Sequence, residues 1–430
     1  MPEARAQSAL GKICRFQAGD AFGKDEQGRT SGDHPFIKVS DMNLVGNELY
    51  IARANNWISD ADAGRYRLHP KDAVVFAKIG IALTYNRRRR LTRPTIIDNN
   101  MMSATCAAHI DPAWFYYLLS TIDFNLMSSG SALPYLTVKD LSRISVEVPS
   151  QADQRAIASV LGALDDKIEL NRRMNETLEA TARAIFKDWF VDFGPTRAKI
   201  GGVVPYLAAD VWSLFPDRLD GDGKPEGWIV STIGNEVEVV GGSTPSTKEA
   251  AFWGGDISWT TPKDLSSLST PVLLSTERQI TAAGLSQISS GLLPVGTVLL
   301  SSRAPVGYLA IVQIPVAVNQ GFIAMICKKR LSNVFVWLWT QANMETVHQN
   351  ANGSTFQEIS KANFRPIEVT VATSDLLQAF DQTAKPLFDR IVSNERENRS
   401  LATTRDFLLP KLMSGEVRVK DAEKIVGEAT

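Results

Sequence analysis

The chain matches itself at an offset of 223 residues, and no other feature constrains its fold as strongly. Near the start of each half Leu10-Gly11 faces Ile233-Gly234, and Gly19 faces Gly242. Farther on, GSALPYLTVKDLSRISVEVP (Gly130 to Pro149) lies over GSTFQEISKANFRPIEVTVA (Gly353 to Ala372). The match peaks where Asp166, Ile168, Asn171, Arg173, Asn175, Leu178 and Thr181 recur identically as Asp389, Ile391, Asn394, Arg396, Asn398, Leu401 and Thr404. The order is therefore globular, helix, globular, helix. Each unit has roughly 140 residues of mixed, Gly-punctuated sequence before a closing segment of different character.

The closing segments carry a helical pattern. Ile157, Leu161, Leu164, Ile168, Asn171, Asn175, Leu178, Ala182, Ile185 and Trp189 alternate spacings of four and three, the heptad of a coiled-coil seam. Ser150 with Asp153 forms a capping box at the start, and Phe193-Gly194-Pro195 supplies a stop. The aligned second seam is Phe380, Ala384, Leu387, Ile391, Asn394, Asn398, Leu401, Arg405, Leu408 and Leu412. Pro386 interrupts it and predicts a bend or a delayed start, and Pro410 a second bend or an early end. Two equivalent seams in one chain most simply pack on each other, with Asn171, Asn175, Asn394 and Asn398 setting the register; the alternative is that each helix packs on its own globular unit. Ile157 to Trp189 makes a rod of about 50 Å at 1.5 Å per residue.

Within the globular parts, Ala73-Val74-Val75-Phe76 and Val298-Leu299-Leu300 read as strands, and Trp114 to Leu119 and Val334 to Trp339 as helix segments. The expected fold is α+β: two mixed α/β domains in tandem, separated by two long helices packed as an antiparallel coiled coil. The expected bounds are 1–149 and 228–372 for the domains and 150–193 and 373–415 for the helices. Residues 194–227, rich in Gly, Pro and Asp, read as a linker, and 416–430 as a tail.

Composition narrows the function. Lys and Arg number 46 against 47 Asp and Glu, so net charge does not point to nucleic acid, although residues 1–150 hold 18 basic against 15 acidic side chains. No charge-poor run of about 18 apolar residues occurs and the start lacks the apolar stretch of a secretory signal, so a soluble cytoplasmic protein is expected. Cys14, Cys106 and Cys327 are odd in number and far apart in sequence, which fits buried small hydrophobes rather than a disulfide framework or a zinc site. The histidines His34, His69, His109 and His348 are scattered. The phosphate-loop, dinucleotide and zinc-protease patterns are missing, as is the Asn/Asp-Pro-Pro-aromatic tetrapeptide of amino-methyltransferases. Pro216-Asp217 with Asp222-Gly223-Lys224 superficially resembles a nuclease site, but the spacing is too short and the segment reads as an acidic loop.

The duplicated layout resembles the specificity (S) subunits of type I restriction-modification systems over nearly the whole length. The resemblance is carried by the helix start with Pro149, Gln154 and Ile157, the stretch ending Pro225-Glu226-Gly227-Trp228, and the closing FLLPKLMSGEVRV. The second helix departs from it, with Ala372 and Leu377 where the first has Pro149 and Gln154. The resemblance implies a non-catalytic subunit whose two target-recognition domains each read one half of a bipartite, asymmetric site in double-stranded DNA, with the helices setting the gap. It also implies two methyltransferase subunits and restriction-translocase subunits as partners, which carry S-adenosylmethionine, ATP and Mg²⁺, so that this chain binds no cofactor or metal and needs no membrane. A duplicated coiled-coil scaffold that never touches DNA is the competing reading.

For a DNA reader, Arg87, Arg88, Arg89 and Arg90 with Arg93 read as the basic tip of a hairpin, suited to phosphate or guanine. Polar stretches at corresponding places add Lys38, Ser40 and Asp41 in the first unit and Trp259, Thr260 and Lys263 in the second. Asn99, Asn100, Ser302, Arg303, Asn319 and Gln320 belong with them, as do Ser131 and Ser354, which follow the repeated glycines. Each has a structural reading as well, as a turn cap or a solvated charge.

Overall fold

The structure is a computed structural model describing residues 5–130, 133–353 and 357–429. It has two compact units: residues up to Glu169 together with those from Glu397 onward, and Leu170–Arg396. In the first unit β1 (Ala6–Ala9) pairs with β10 (Ser145–Val148). A five-stranded sheet runs β2 (Cys14–Ala18), β9 (Met101–Cys106), β6 (Val74–Ala77), β7 (Arg89–Leu91), β4 (Tyr50–Ile51). A three-stranded sheet runs β5 (Asn56–Ile58), β3 (His34–Ile37), β8 (Ile96–Ile97).

The second unit repeats this plan with every label raised by ten. There β11 (Ile229–Thr232) pairs with β20 (Glu368–Val371), and the larger sheet runs β12 (Glu238–Val240), β19 (Phe322–Ile326), β16 (Val298–Ser302), β17 (Val306–Val312), β14 (Val272–Leu273). The smaller runs β15 (Arg278–Ile280), β13 (Trp253–Thr260), β18 (Ala317–Val318). In both units the pairs β3–β8 and β4–β7, with their counterparts β13–β18 and β14–β17, are parallel.

The central strands β6 and β16 are buried at every residue, which is why they appear in the sequence as continuous apolar runs rather than alternating ones. The helices Pro112–Thr121 and Asn333–Ala342 each start at a side-chain cap, Asp111 and Ser332, and each inserts a fully buried tryptophan, Trp114 and Trp337, at the repeat distance. Cys14 and Cys106, remote in sequence, sit directly opposite each other across β2 and β9 as free thiols, and burial pushes the Cys14 thiol up to about 12.

Under the larger sheet of the first unit His69 is fully buried, its Nδ1 2.7 Å from Ser103 Oγ. Burial lowers its pKa from 6.5 to about 4, so the folded chain keeps the imidazole neutral while the unfolded chain takes up a proton. That contribution is complete above about pH 7 and is lost as pH falls through the interval between the two values, reaching about 2 kcal/mol at pH 5. Urea midpoints of the chain and of His69→Gln, each at pH 7.5 and pH 5, isolate this term: lowering the pH should cost the wild-type chain about 2 kcal/mol more than the variant, whatever the other groups contribute to both.

The first long helix, Gln151–Phe186, continues as a wider turn through Val191, and the second spans Ser374–Ser414. Parts of both belong to each unit. In the first unit Ile157, Leu161 and Leu164 share a core with Leu401, Leu408 and Leu412. In the second, Phe186 and Trp189 pack on Phe380. The pairing is antiparallel in both, since later residues of one helix meet earlier residues of the other: Lys167 meets Glu397, and Asn394 Nδ2 donates to Asn175 Oδ1 at 2.7 Å. Asn171, Asn175 and Asn394 are buried and Asn398 half-buried. Ser150 and Asp153 form the expected cap, with Asp153 N donating to Ser150 Oγ at 3.2 Å.

One expectation needs correction. The second helix neither starts late at Pro386 nor ends early at Pro410: it runs through both, which lie on its exposed face, where water can take the carbonyls they leave unbonded. The 194–227 segment contains the helices Gly194–Ile200 and Ala209–Ser213 and buries Phe215 against Trp189. The tail is the amphipathic helix Val419–Ala429, whose Ala422 is fully buried in the first unit's core.

Candidate nucleic-acid interface

Parallel pairing of β3 with β8 brings their C-terminal ends out side by side, with Ile37 opposite Ile97. The turn after β3 closes when Lys38 N donates to Asp41 Oδ2 at 2.7 Å, while Asp41 Oδ1 accepts from Asn55 N at 2.9 Å. The turn after β8 is an Asx turn in which Asp98 Oδ1 accepts from Asn100 N at 2.9 Å. Beside it, Lys78 N donates to the Asn100 carbonyl and the Lys78 carbonyl accepts from Leu136 N, both at 2.9 Å. Asp20 N donates to the Ile97 carbonyl at 2.9 Å, adding a further segment to the rim.

The second unit builds the same skeleton from different residues. Thr260 lies opposite Val318, Thr261 N donates to Asp264 Oδ2 at 2.8 Å, and Asn319 Oδ1 accepts from Gly321 N at 2.8 Å. Ser302 N donates to the Gly321 carbonyl at 2.8 Å, the Ser302 carbonyl accepts from Ile359 N at 3.0 Å, and Ser243 N donates to the Val318 carbonyl at 3.1 Å. The two rims need glycine where the chain passes closest. A Cβ on Gly19 would stand 2.2 Å from the Ile97 carbonyl oxygen, and one on Gly242 1.7 Å from that of Val318.

Most of the candidate residues sit on or beside these rims. Ser40, Asn99, Asn100, Lys263 and Gln320 are exposed on the turns, and Lys38 and Asn319 are half-buried there. Lys38 Nζ reaches Gln27 Oε1 at 3.0 Å, and Lys263 Nζ pairs with Glu277 at 2.8 Å. Arg303 lies 3.7 Å from Glu358, and Gln320 Oε1 accepts from Thr244 Oγ1 at 2.7 Å. Trp259, Thr260 and Ser302 are corrected to interior positions. Trp259 and Thr260 are 2 % and 0 % exposed because the end of β13 is covered on both faces, and Ser302 is 3 % exposed. Asp41 is also buried and serves the turn. Ser131 and Ser354 lie outside the described residues.

The arginine run is not a hairpin tip. Arg89 and Arg90 lie in β7, and Arg88 is 3 % exposed, with its guanidinium 3.7 Å from the Phe124 ring centroid and donating to the Ile122 carbonyl at 2.8 Å. Burial pulls the Arg88 pKa down to about 9, which leaves it charged at neutral pH. Arg89 donates to the Arg88 and Met42 carbonyls, and Arg90 pairs with Asp72 at 2.9 Å. Only Arg87 of the four is exposed, 5.0 Å over Tyr85 and bonded to Asn43, while Arg93 is exposed 5.8 Å from the Trp57 ring centroid. Arg88→Ala should therefore cost about 2–3 kcal/mol of stability by stranding buried carbonyls and leaving a cavity. Arg87→Ala should change stability by less than about 0.5 kcal/mol. Urea midpoints of the two variants check this.

The sequence reading missed Lys78 and Thr244. Ser302 and Lys78 occupy the same place in the two rims, but they are 224 residues apart, so an offset of 223 sets Ser302 against Ile79. The Asp220–Lys224 stretch folds as a turn in which Lys224 bonds Asp220 and Asp222. Among the described residues no group of three His, Cys, Asp or Glu side chains is placed to hold a metal, and no helix is long and apolar enough to cross a membrane. The rims offer hydrogen-bond donors and acceptors on a rigid strand scaffold, which is an arrangement for recognition.

Comparison with known proteins agrees with that geometry. Residues 2–180 and 225–374 match the family model described as the type I restriction modification DNA specificity domain. The chain is 26 % identical over 335 residues to the type I restriction enzyme HindI specificity subunit of Haemophilus influenzae, covering 67 % of this chain and 72 % of that one. It is 35 % identical over 192 residues to the MjaIX specificity subunit of Methanocaldococcus jannaschii, 44 % of each. The fold is similar to a crystal structure of the S subunit of a type I restriction-modification system from M. genitalium, with a TM-score of 0.57 at 13 % identity over 95 % of this chain and 96 % of that one.

Proposed function

Because the chain belongs to the type I restriction-modification DNA specificity family, we propose that it reads a bipartite, asymmetric site in double-stranded DNA, one half with each recognition domain. The observation that carries this reading is the pair of rims: one strand plan, repeated tenth strand for tenth strand, ends in the same turns dressed with different side chains. Rigid strands with variable turns suit base-edge readout, and two unlike rims call for two unlike half-sites. The long helices set the gap, since readers joined by a stiff element engage one groove face at a fixed number of turns, about 34–36 Å each.

Two methyltransferase subunits bind around the helices, and restriction-translocase subunits join them in the cytoplasm. Methyl transfer and cleavage, with S-adenosylmethionine, ATP and Mg²⁺, belong to those partners. The near-zero net charge fits this division, with partners supplying much of the phosphate clamp.

The test is base-resolved methylation mapping of DNA from cells expressing the chain with its neighbouring methyltransferase, against the methyltransferase alone. A split, asymmetric motif that appears only with this chain is the expected result. Unchanged methylation from an assembled pair overturns the reading in favour of a scaffold. Inserting one heptad into both long helices should then lengthen the spacer and leave both half-sites unaltered.

A further inference from the structure

The two rims differ in one respect that follows from neither the repeat nor the shared turns. Between Lys78 and Leu91 the first unit inserts the helical turn Ile81–Thr84, where the second runs almost directly from β16 into β17. This turn is braced by the short helix Phe124–Met127, with Asn125 Nδ2 donating to the Thr84 carbonyl at 3.1 Å. It joins the rim through Gly80 N, which donates to the Pro134 carbonyl at 2.8 Å, two residues from the Lys78–Asn100 contact.

The projection is apolar and open to solvent. Leu126 is 80 % and Ile81 74 % exposed, and Tyr85, Leu133, Tyr135 and Met127 are exposed beside them. At the repeat distance from Leu126, Met127 and Tyr135 the second unit has the exposed polar residues Gln349, Asn350 and Glu358; the position matching Leu133 is Phe356, outside the described residues. An exposed apolar patch of this kind marks a binding surface. Its continuity with the rim turns and the cation of Arg87 stacked over Tyr85 favour duplex DNA as the occupant, with the arginine toward phosphate and the apolar side chains toward the bases.

We propose that the projection formed by Ile81–Tyr85 and Leu126–Met127 makes the first domain read thymine 5-methyl groups in its half-site, whereas the second domain reads its half through polar groups. Thymine is the base that offers an apolar group in the major groove. This rests on the DNA-reading function proposed above and specifies the chemistry of one of its two sites.

The test uses the purified complex with its methyltransferase partner and the mapped target duplex. Replacing thymine by uracil removes only the methyl, and in the first domain's half-site this should weaken wild-type binding about fourfold per contacted base. The double variant Ile81→Ser/Leu126→Ser, altered only at exposed positions, should bind the thymine duplex more weakly and lose the difference between thymine and uracil. The same exchange in the other half-site should change binding by less than about twofold. A first half-site without thymine, or equal wild-type binding to both duplexes, overturns the inference. Loss of methyltransferase association in the variant overturns it too, by making the patch a protein-docking face. If the wild-type chain yields no bipartite motif at all, the DNA-reading function itself fails, an outcome separate from these.

Discussion

Asp165→Ala will lower the stability of the first unit by about 3 kcal/mol, because it strands an arginine and a tyrosine that share one buried carboxylate. Asp165 lies on the first long helix with its side chain 7 % exposed; Tyr117 Oη and Arg405 Nη1 both donate to it at 2.7 Å. Burial, reinforced by the carboxylate, pushes the Tyr117 hydroxyl far above its ordinary range, so it remains a donor. Burial also opposes the Arg405 charge, yet Asp165 more than offsets this and raises its pKa. The Arg405 side chain keeps 29 % exposure and a second bond to Asp406, which puts the loss at the lower end of the range for broken buried pairs.

At the repeat distance from Asp165, Tyr117 and Arg405 stand Phe388, Thr340 and Ala182, all buried. The same three-way junction of domain and two helices is thus ionic in one unit and uncharged in the other, where the Thr340 hydroxyl donates to the Val336 carbonyl of its own helix at 2.7 Å. The triple variant Asp165→Phe/Tyr117→Thr/Arg405→Ala, copying the second unit, should recover most of the single variant's loss, since a buried ion pair is often replaceable by packed apolar groups. Thermal unfolding checks both: the single variant should melt about 6–12 °C lower for a unit of this size, with the triple variant between it and wild type.

Gly242→Ala should be comparably damaging but should act on recognition. The added Cβ would lie 1.7 Å from the Val318 carbonyl oxygen and 2.5 Å from its carbon, both backbone atoms that cannot swing aside as a side chain would. Relief requires parting Ser243 from Val318 and opening the rim, at about 3 kcal/mol. In methylation mapping with the partner methyltransferase, the motif read by the second domain should degrade or vanish while complex assembly persists. Gly162→Ala in the first long helix is the control: nothing lies within 4 Å of its Cβ position, and the exchange should stabilise the helix by about 1 kcal/mol. Equal damage from the two would refute the close-approach account.

What was legible in the residues follows from what is local. Heptad spacing marked both long helices, and Ser150 with Asp153 marked a start that the backbone uses. The match at 223 residues announced two copies of one plan, which the strand order confirms. The prolines misled because a sequence shows that a backbone donor is missing and not which face it is missing from. Pro386 and Pro410 face water, and the helix passes through both.

The rims were beyond local reading, because each is assembled from segments far apart in the chain. The turn from Lys38 to Asp41 and the turn from Asp98 to Asn100 meet because β3 pairs in parallel with β8, some sixty residues later, and Lys78 joins them because β6 pairs antiparallel with β9. Four consecutive arginines look alike in one dimension. β7 and the ring of Phe124 then decide which of them go inward, burying Arg88 and leaving Arg87 exposed. By itself the sequence determined the duplication, the helical seams and the central strands, which depend on periodicity and on caps a few residues away. Tertiary structure alone decided which polar residues face outward, because that depends on long-range strand pairing.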